Sequence, residues 1–349
     1  MIPHSRPTIS EEEVQAVAEV LRSGQLACGE RVARFEEAFA RFIGCRYAVA
    51  VSSGTAALHL SLLALGVRPG DEVAIPSYVC SALLNATAYV GARPVLIDID
   101  PGTFNMDSMD LKKRVTELTK VVVLPHMFGL PGEIEGISHI GLPMIEDCAM
   151  APGARYKRRR VGSVGTIGVF SFYATKMMTT GEGGMVTTND RDIAETVRDL
   201  RGYDEKEDDR VRFNYKMTEI AATLGEIQLR KVDAWVEERR RIAAVYDREF
   251  AICDVTRPVR GERDEHAFYR YVVKVEGDIV RSIAAFEYRG ITVRRPVFCP
   301  IHRLLGMGET MFPGGEEAFH TALSLPIYPT LRDEEQHRVI EAAVDIFET

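Results

Sequence analysis

No cysteine pair in this sequence stands at C-x-x-C spacing. The six cysteines (Cys28, Cys45, Cys80, Cys148, Cys253, Cys299) are scattered, and none is spaced to the eight histidines as a zinc site requires. That distribution implies reduced thiols, a cytoplasmic setting and no structural metal. No apolar run reaches the length of a membrane span. The opening residues, MIPHSRPTISEEEVQAV, carry neither a charged-then-apolar signal pattern nor an Arg-rich transit pattern, so neither a membrane nor an exported state is expected. Basic excess is missing too: the formal charge is −8, which removes the electrostatic footprint of a nucleic-acid partner. One short basic run, RYKRRR at 155–160, reads as a solvated turn between strands, with an anion site as its alternative. No internal repeat and no low-complexity linker interrupts the chain.

What is present is enough for two domains, since 349 residues exceed the usual size of one. After a Pro-containing arm, Ser10 followed by Glu11, Glu12 and Glu13 marks a helix start, with Val14, Val17 and Leu21 as its expected buried stripe. From residue 48 onward, short β-rich runs predict seven strands: 48–52, 72–76, 94–98, 121–126, 143–147, 167–172 and 184–188. Helix-like stretches separate the first three, which therefore read as βαβ units of a mostly parallel sheet covered on both faces. Ligands of such sheets sit beyond the strand C-termini. Residues 217–250 form the longest helical pattern, but Ile220, Leu224 and Ile227 mark one face whereas Leu229, Val232 and Val236 mark another. Either a bend or a subunit contact would use both faces. Beyond it, a strand in FYRYVVKVEG, a helix in IVRSIAAFEYRG, a strand in ITVRRPV and a terminal helix in EEQHRVIEAAVDIF describe a smaller α+β domain. The expected division is 1–245, a large domain with the arm, and 246–349.

Three groups of residues could carry chemistry. SSGTAALHL, at 52–60, is a strand-to-helix turn in which Gly54, Thr55 and Ala56 set amides at a helix N-terminus, suited either to a phosphate or simply to packing and capping. Asp147 ends the apolar strand MIED, so its carboxylate emerges at the sheet edge. It serves there as the partner of a protonated nitrogen or as a cap. Lys176 follows IGVFSF and precedes TTGEGG; Ser171, Thr179 and Thr180 surround it with hydroxyls, and Gly181, Gly183 and Gly184 permit close backbone approach. A lysine, a carboxylate and phosphate donors are the groups that pyridoxal phosphate requires, the lysine as its Schiff-base partner.

In order and spacing, SSGTAAL, RPVLIDIDPGTFNMD, HMFGLPG, IEDCAMAPGA, FSFYATK with TTGEGGMVTTND, FNYKMTEIAATLGEIQL and SLPIYPTL resemble the DegT/DnrJ/StrS sugar-nucleotide aminotransferases. The likeness runs from about residue 6 to the C-terminus. It implies a fold-type I, pyridoxal phosphate-dependent homodimer that aminates a nucleotide-linked ketosugar, with glutamate as amino donor. Lys176 matches the Schiff-base lysine, Asp147 the partner of the pyridinium nitrogen, and Gly54, Thr55 and Ser171 the phosphate ligands. Asn214 matches an asparagine that reaches the phosphate of the neighbouring subunit's cofactor, so the sites would be shared. Two positions depart from the family's habit: Cys80 replaces a bulky ring that stacks on the cofactor, and Met150 stands where glutamine or histidine is usual. Tyr78 or Tyr173 is the candidate replacement aromatic. Arg294, Arg295 and His302 are candidates for closing over the donor carboxylate or the diphosphate. Related sugar dehydratases carry histidine in place of Lys176, and a non-catalytic cofactor- or sugar-binding member is the further alternative.

Overall fold

The computed structural model describes residues 1–257 and 265–347. All seven expected strands form: β1 (Tyr47–Val51), β2 (Glu72–Pro76), β3 (Arg93–Ile97), β4 (Thr119–Pro125), β5 (Met144–Asp147), β6 (Ile167–Ser171) and β7 (Gly184–Thr188). They make one sheet in the order β1-β7-β6-β5-β4-β2-β3. β7 runs antiparallel to both its neighbours, and every other pairing is parallel. Val- and Ile-rich runs buried on both faces suit such a sheet, because helices cover each side. β1 does not lie beside β2, since the later strand β7 takes its hydrogen bonds and β1 becomes an edge. That exchange positions the site, because Gly184 at the start of β7 pairs with both Val51 and Ser171.

Helices α1 (Glu11–Ser23), α2 (Glu30–Ile43), α3 (Gly54–Ala64), α4 (Ala82–Tyr89), α5 (Arg191–Leu200) and α6 (Glu219–Leu229) surround the sheet. α3, α4 and α5 supply one core, through residues such as Leu60, Leu83 and Val197. α2 supplies the other, through Phe35 and Phe39, which pack on Phe170 and Phe172. α1 begins as expected, with the Glu13 carboxylate accepting the Ser10 N–H at 2.9 Å. Its buried side differs: Val14 and Leu21 are more than half exposed, while Glu13 and Val20 face inward. Glu13 turns in because Lys231 meets it at 2.7 Å. The long helical pattern at 217–250 is two helices, α6 and α7 (Val232–Glu249), broken at Arg230 and Lys231. The bend accounts for its two apolar faces. RYKRRR forms a two-residue hairpin between 155–156 and 159–160, with Lys157 and Arg158 at positive φ.

A second body is built on β8 (Val255–Thr256), β9 (Tyr271–Val275) and β10 (Ala322–Leu325), with α8 (Ile279–Tyr288), α9 (Pro313–Thr321) and α10 (Asp333–Phe347). α7 crosses between the bodies: Val232, Trp235 and Val236 join the sheet's core, whereas Ile242, Ala243 and Tyr246 join the smaller one. Residue 245 therefore falls inside a continuous helix. Ile2 of the arm packs in the smaller core and bridges Ile291, although the arm is expected to belong with the large domain. Val297, Ile301, Phe312 and Ala318 pack instead on the large core. ITVRRPV is no strand; it makes only isolated bridges at Ile291 and Arg294, as its neighbours are the arm and the single strand β10.

Candidate active site

Beyond the C-terminal ends of β4, β5 and β6 lie two connected hollows of about 420 and 260 Å³. They share Cys80, Asp147, Ala149 and Lys176. The smaller is walled by Ser53, Gly54, Thr55, Ser171, Tyr173 and Glu182. The larger opens between the bodies, past Met150, Tyr269, Arg270 and Phe298.

The turn at 52–54 and Ser171 touch because Gly184 bridges their strands. A Cβ on Gly54 would sit 2.7 Å from the Ser171 Cβ, and one on Gly184 would sit 2.3 Å from the Ser53 carbonyl oxygen. Only glycine allows this closeness. Ser53 caps α3 by accepting the Ala56 N–H at 3.0 Å, so that amide is already engaged and the Ala56 side chain is buried in the core. Gly54 and Thr55 stay at the hollow with the helix N-terminus behind them.

Asp147 is 6 % exposed and accepts the Ala149 N–H at 3.0 Å. Burial pushes its pKa up, and the Ala149 N–H and the Lys176 ammonium oppose the rise. Behind it, Glu146 accepts N–H groups of Gly162, Val164 and Gly165 at 2.9, 2.8 and 2.6 Å. Its fourth contact is His126 Nε2 at 3.0 Å. His126 Nδ1 accepts the Gly132 N–H, so the proton lies on Nε2 and points to Glu146. Burial raises the Glu146 pKa, but these donors outweigh it and hold the carboxylate below its ordinary range. His126, Glu146 and Cys148 lie close enough together to suggest a metal, yet Glu146 and His126 are fully engaged in these bonds.

Lys176 is half-buried, its Nζ 5.3 Å from the centroid of the Tyr269 ring. Its loop is built from the neighbouring threonines, which are therefore not free for a ligand. Thr179 donates to the Phe172 carbonyl at 3.1 Å, and its own N–H donates to Gln228 at 2.8 Å. Thr180 donates to the Glu182 carbonyl at 2.5 Å. Gly181 takes φ of 80°, and a Cβ on Gly183 would meet Thr180 Oγ1 at 2.3 Å.

Cys80 is exposed to the cleft beside Lys176 and Asp147; surrounding protein raises its thiol pKa, so the neutral thiol is what it presents. Met150 lines the larger hollow and Tyr173, about half exposed, the smaller. Other candidates lie elsewhere. Tyr78 is wholly buried, stacked on Phe104, with its hydroxyl 3.4 Å from the Ala318 carbonyl; it cannot supply the missing ring. His302 is wholly buried and meets Glu316 at 2.6 Å while stacking on Phe312, so it fastens α9 rather than facing a ligand. Arg295 lies over the Phe319 ring at 4.0 Å, and Arg294 is exposed beyond the cleft lining. Asn214 is exposed and outside both hollows of its own chain.

Two cleft residues escape the sequence reading, Tyr269 and Arg270. Burial raises the Tyr269 pKa, but Lys176, Arg270 and a hydrogen bond with Thr175 outweigh it and hold the phenol below its ordinary value. Alternation in FYRYVVKV marks a strand without marking which of its residues meets the cleft.

The model of the DegT/DnrJ/EryC1/StrS aminotransferase family matches residues 7–344. The spore coat polysaccharide biosynthesis protein SpsC of Bacillus subtilis is 38 % identical, over 99 % of this chain and 97 % of its own. GDP-perosamine synthase of Caulobacter vibrioides is 37 % identical, over 90 % of this chain and 89 % of its own. The PLP form of Spr1654 from Streptococcus pneumoniae superposes with a TM-score of 0.94 at 28 % identity, over 99 % of this chain and 98 % of that one.

Proposed function

The chain belongs to the DegT/DnrJ/EryC1/StrS aminotransferase family, and from that premise we propose that it moves an amino group from glutamate to a nucleotide-linked ketosugar. It would do so as a homodimer with shared, pyridoxal phosphate-bearing sites. The sheet and its covering helices are those of fold-type I pyridoxal phosphate enzymes. The carrying observation is the convergence of Lys176, Asp147 and the Gly54, Thr55 and Ser171 cradle on one cleft. These residues fit the cofactor. A Cβ would close the Gly54–Ser171 cradle, and Asp147 is a nearly buried carboxylate that lacks a charged hydrogen-bond partner among the described residues.

When bound, pyridoxal phosphate supplies an electron-accepting ring. The turn at Gly54 and Thr55, with the Ser171 hydroxyl, would hold its phosphate. Asp147 would hold a proton at the pyridine nitrogen, and burial strengthens that pairing. Lys176 Nζ would anchor the cofactor, take the proton from the donor's Cα, and later return a proton to the sugar carbon that receives the amine. The Caulobacter relative's name, GDP-perosamine synthase, supports a nucleotide-sugar acceptor. Cys80 and Met150 favour one competing reading, a cofactor binder without turnover.

Adding pyridoxal phosphate should give a visible absorption band that Lys176→Ala abolishes, and L-glutamate should then bleach it. A band that no amino donor moves would favour the binder, and no band at all would sink both readings.

A further inference from the structure

We propose that Arg270 recognises an anionic group of the substrate, and that His4 of the N-terminal arm positions it. This rests on reading the cleft as the aminotransferase site. Two chemical sources share the feature Arg270 would bind: the carboxylate of the amino donor and the diphosphate of the nucleotide.

Arg270 is half-buried in the wall of the larger hollow, and no carboxylate pairs with it among the described residues. Its direct contacts are neutral. The guanidinium lies 5.2 Å from the centroid of the Tyr269 ring, and Nη1 is 3.2 Å from His4 Nε2. His4 is itself tied to Ser324 Oγ at 2.8 Å. Burial, with Arg270, Arg294 and Arg239 nearby, pushes the His4 pKa down to about 3, so at neutral pH the ring is uncharged and rests against Arg270 without competing as a cation. The other arginines close by do not line the hollow. Arg239 donates to the carbonyls of Phe268, Tyr269 and Ile327 at 3.1, 3.3 and 2.8 Å, and Arg295 lies over Phe319. A planar guanidinium fork with open donors is matched to carboxylate or phosphate oxygens.

The backbone that carries Arg270 is also fixed in an unusual way. Phe128 and Phe268 take φ of 58° and 51°, a conformation that bulky side chains seldom adopt. Between them, Ala267 N–H donates to the Gly129 carbonyl at 2.9 Å and Arg270 N–H to the Phe128 carbonyl at 3.2 Å. A Cβ on Gly129 would lie 3.0 Å from the Phe268 and Tyr269 nitrogens, so this junction closes only around glycine. It delivers Tyr269 and Arg270 to the same wall as Lys176.

The test uses full-length protein loaded with pyridoxal phosphate. Arg270→Gln should keep the visible band, because Arg270 is not among the phosphate, nitrogen or lysine contacts. It should weaken either L-glutamate, read from the concentration that half-bleaches the band, or GDP and UDP, read by calorimetry, by about 30-fold or more. Loss confined to glutamate identifies the carboxylate; loss confined to the nucleotides identifies the diphosphate. Arg270→Lys should recover only part, as it keeps the charge and loses the fork. His4→Ala should weaken the same ligand by a smaller factor, and add nothing in an Arg270→Gln background. Unchanged binding of glutamate, GDP and UDP with the band intact overturns the proposal, as does wild-type protein that binds none of them. A wild-type band that glutamate never moves, with GDP bound normally, removes the transamination reading and leaves the nucleotide arm to judge Arg270.

Discussion

Asp147 carries an apolar surround on a carboxylate, and its raised pKa is a statement about stability as well as chemistry. The folded protein without cofactor disfavours the charged form, so ionised Asp147 destabilises it. That cost is complete above the raised folded pKa, shrinks as pH falls through it, and vanishes below the ordinary value of 3.8. Asp147→Asn should therefore raise the Tm of cofactor-free protein at pH 7 to 8 by about 1–3 °C. The gain should fade on acidification, and the variant should lose at least about a hundredfold in transamination rate. Melting curves at several pH values with one activity assay check this; a gain that grows on acidification would refute it. Gly54→Ala belongs to the same scale. The added Cβ meets the Ser171 Cβ at 2.7 Å, both on rigid backbone, so the variant should bind pyridoxal phosphate about tenfold or more weakly in a titration of the visible band. At this scale the cleft position of Asp147 and Lys176 was legible because strand ends and glycine clusters leave local marks. Tyr78 and His302 were misread because neighbours distant in sequence, Phe104 for one and Phe312 with Glu316 for the other, decide whether a side chain faces a core or a cleft.

FNYKMTE shows how elements are tied together around the site. The Ser52 N–H donates to the Tyr215 carbonyl at 2.8 Å, which fastens the block to the turn at 52–54. Thr218 caps α6 by accepting the Ala221 N–H. Glu219 reaches the start of a different helix, accepting the N–H groups of Gly29, Arg31 and Val32 at 3.0 Å each. One carboxylate thus satisfies several open donors of α2 and meets its positive end. Glu219→Ala leaves these donors without it, the Val32 N–H among them buried, and should cost about 1–2 kcal/mol. Glu219→Gln should cost less, since an amide oxygen still accepts. Urea unfolding of the three proteins measures the difference; equal midpoints would show that α2 holds without this cap. Periodicity announced α6 and α7 as one pattern with two faces, and the strand runs announced the sheet. It could not announce that β7 would take β1 from β2, because the seven strands differ little in their sequence pattern and pairing is settled by the whole packing.

At the scale of the molecule, one chain brings Lys176, Asp147, Gly54, Thr55 and Ser171 to the cleft, whereas Asn214 is exposed and outside both hollows of its own chain. Apolar surface also remains uncovered on α1, where Val14 and Leu21 are more than half exposed. Both features suit a homodimer in which each subunit lends Asn214 to its partner. Complementation then has a definite arithmetic. In a hybrid of Lys176→Ala and Asn214→Ala subunits, one site collects both lesions and the other collects neither. Random mixing makes about half of the dimers hybrids, each with one intact site, so activity should recover to about a quarter of wild type. Both parents should fall well below that level. Transamination assays after unfolding and joint refolding measure it, with subunit exchange verified by differently tagged chains. Activity no higher than the mean of the parents, in verified hybrids, would mean that Asn214 serves its own chain or none.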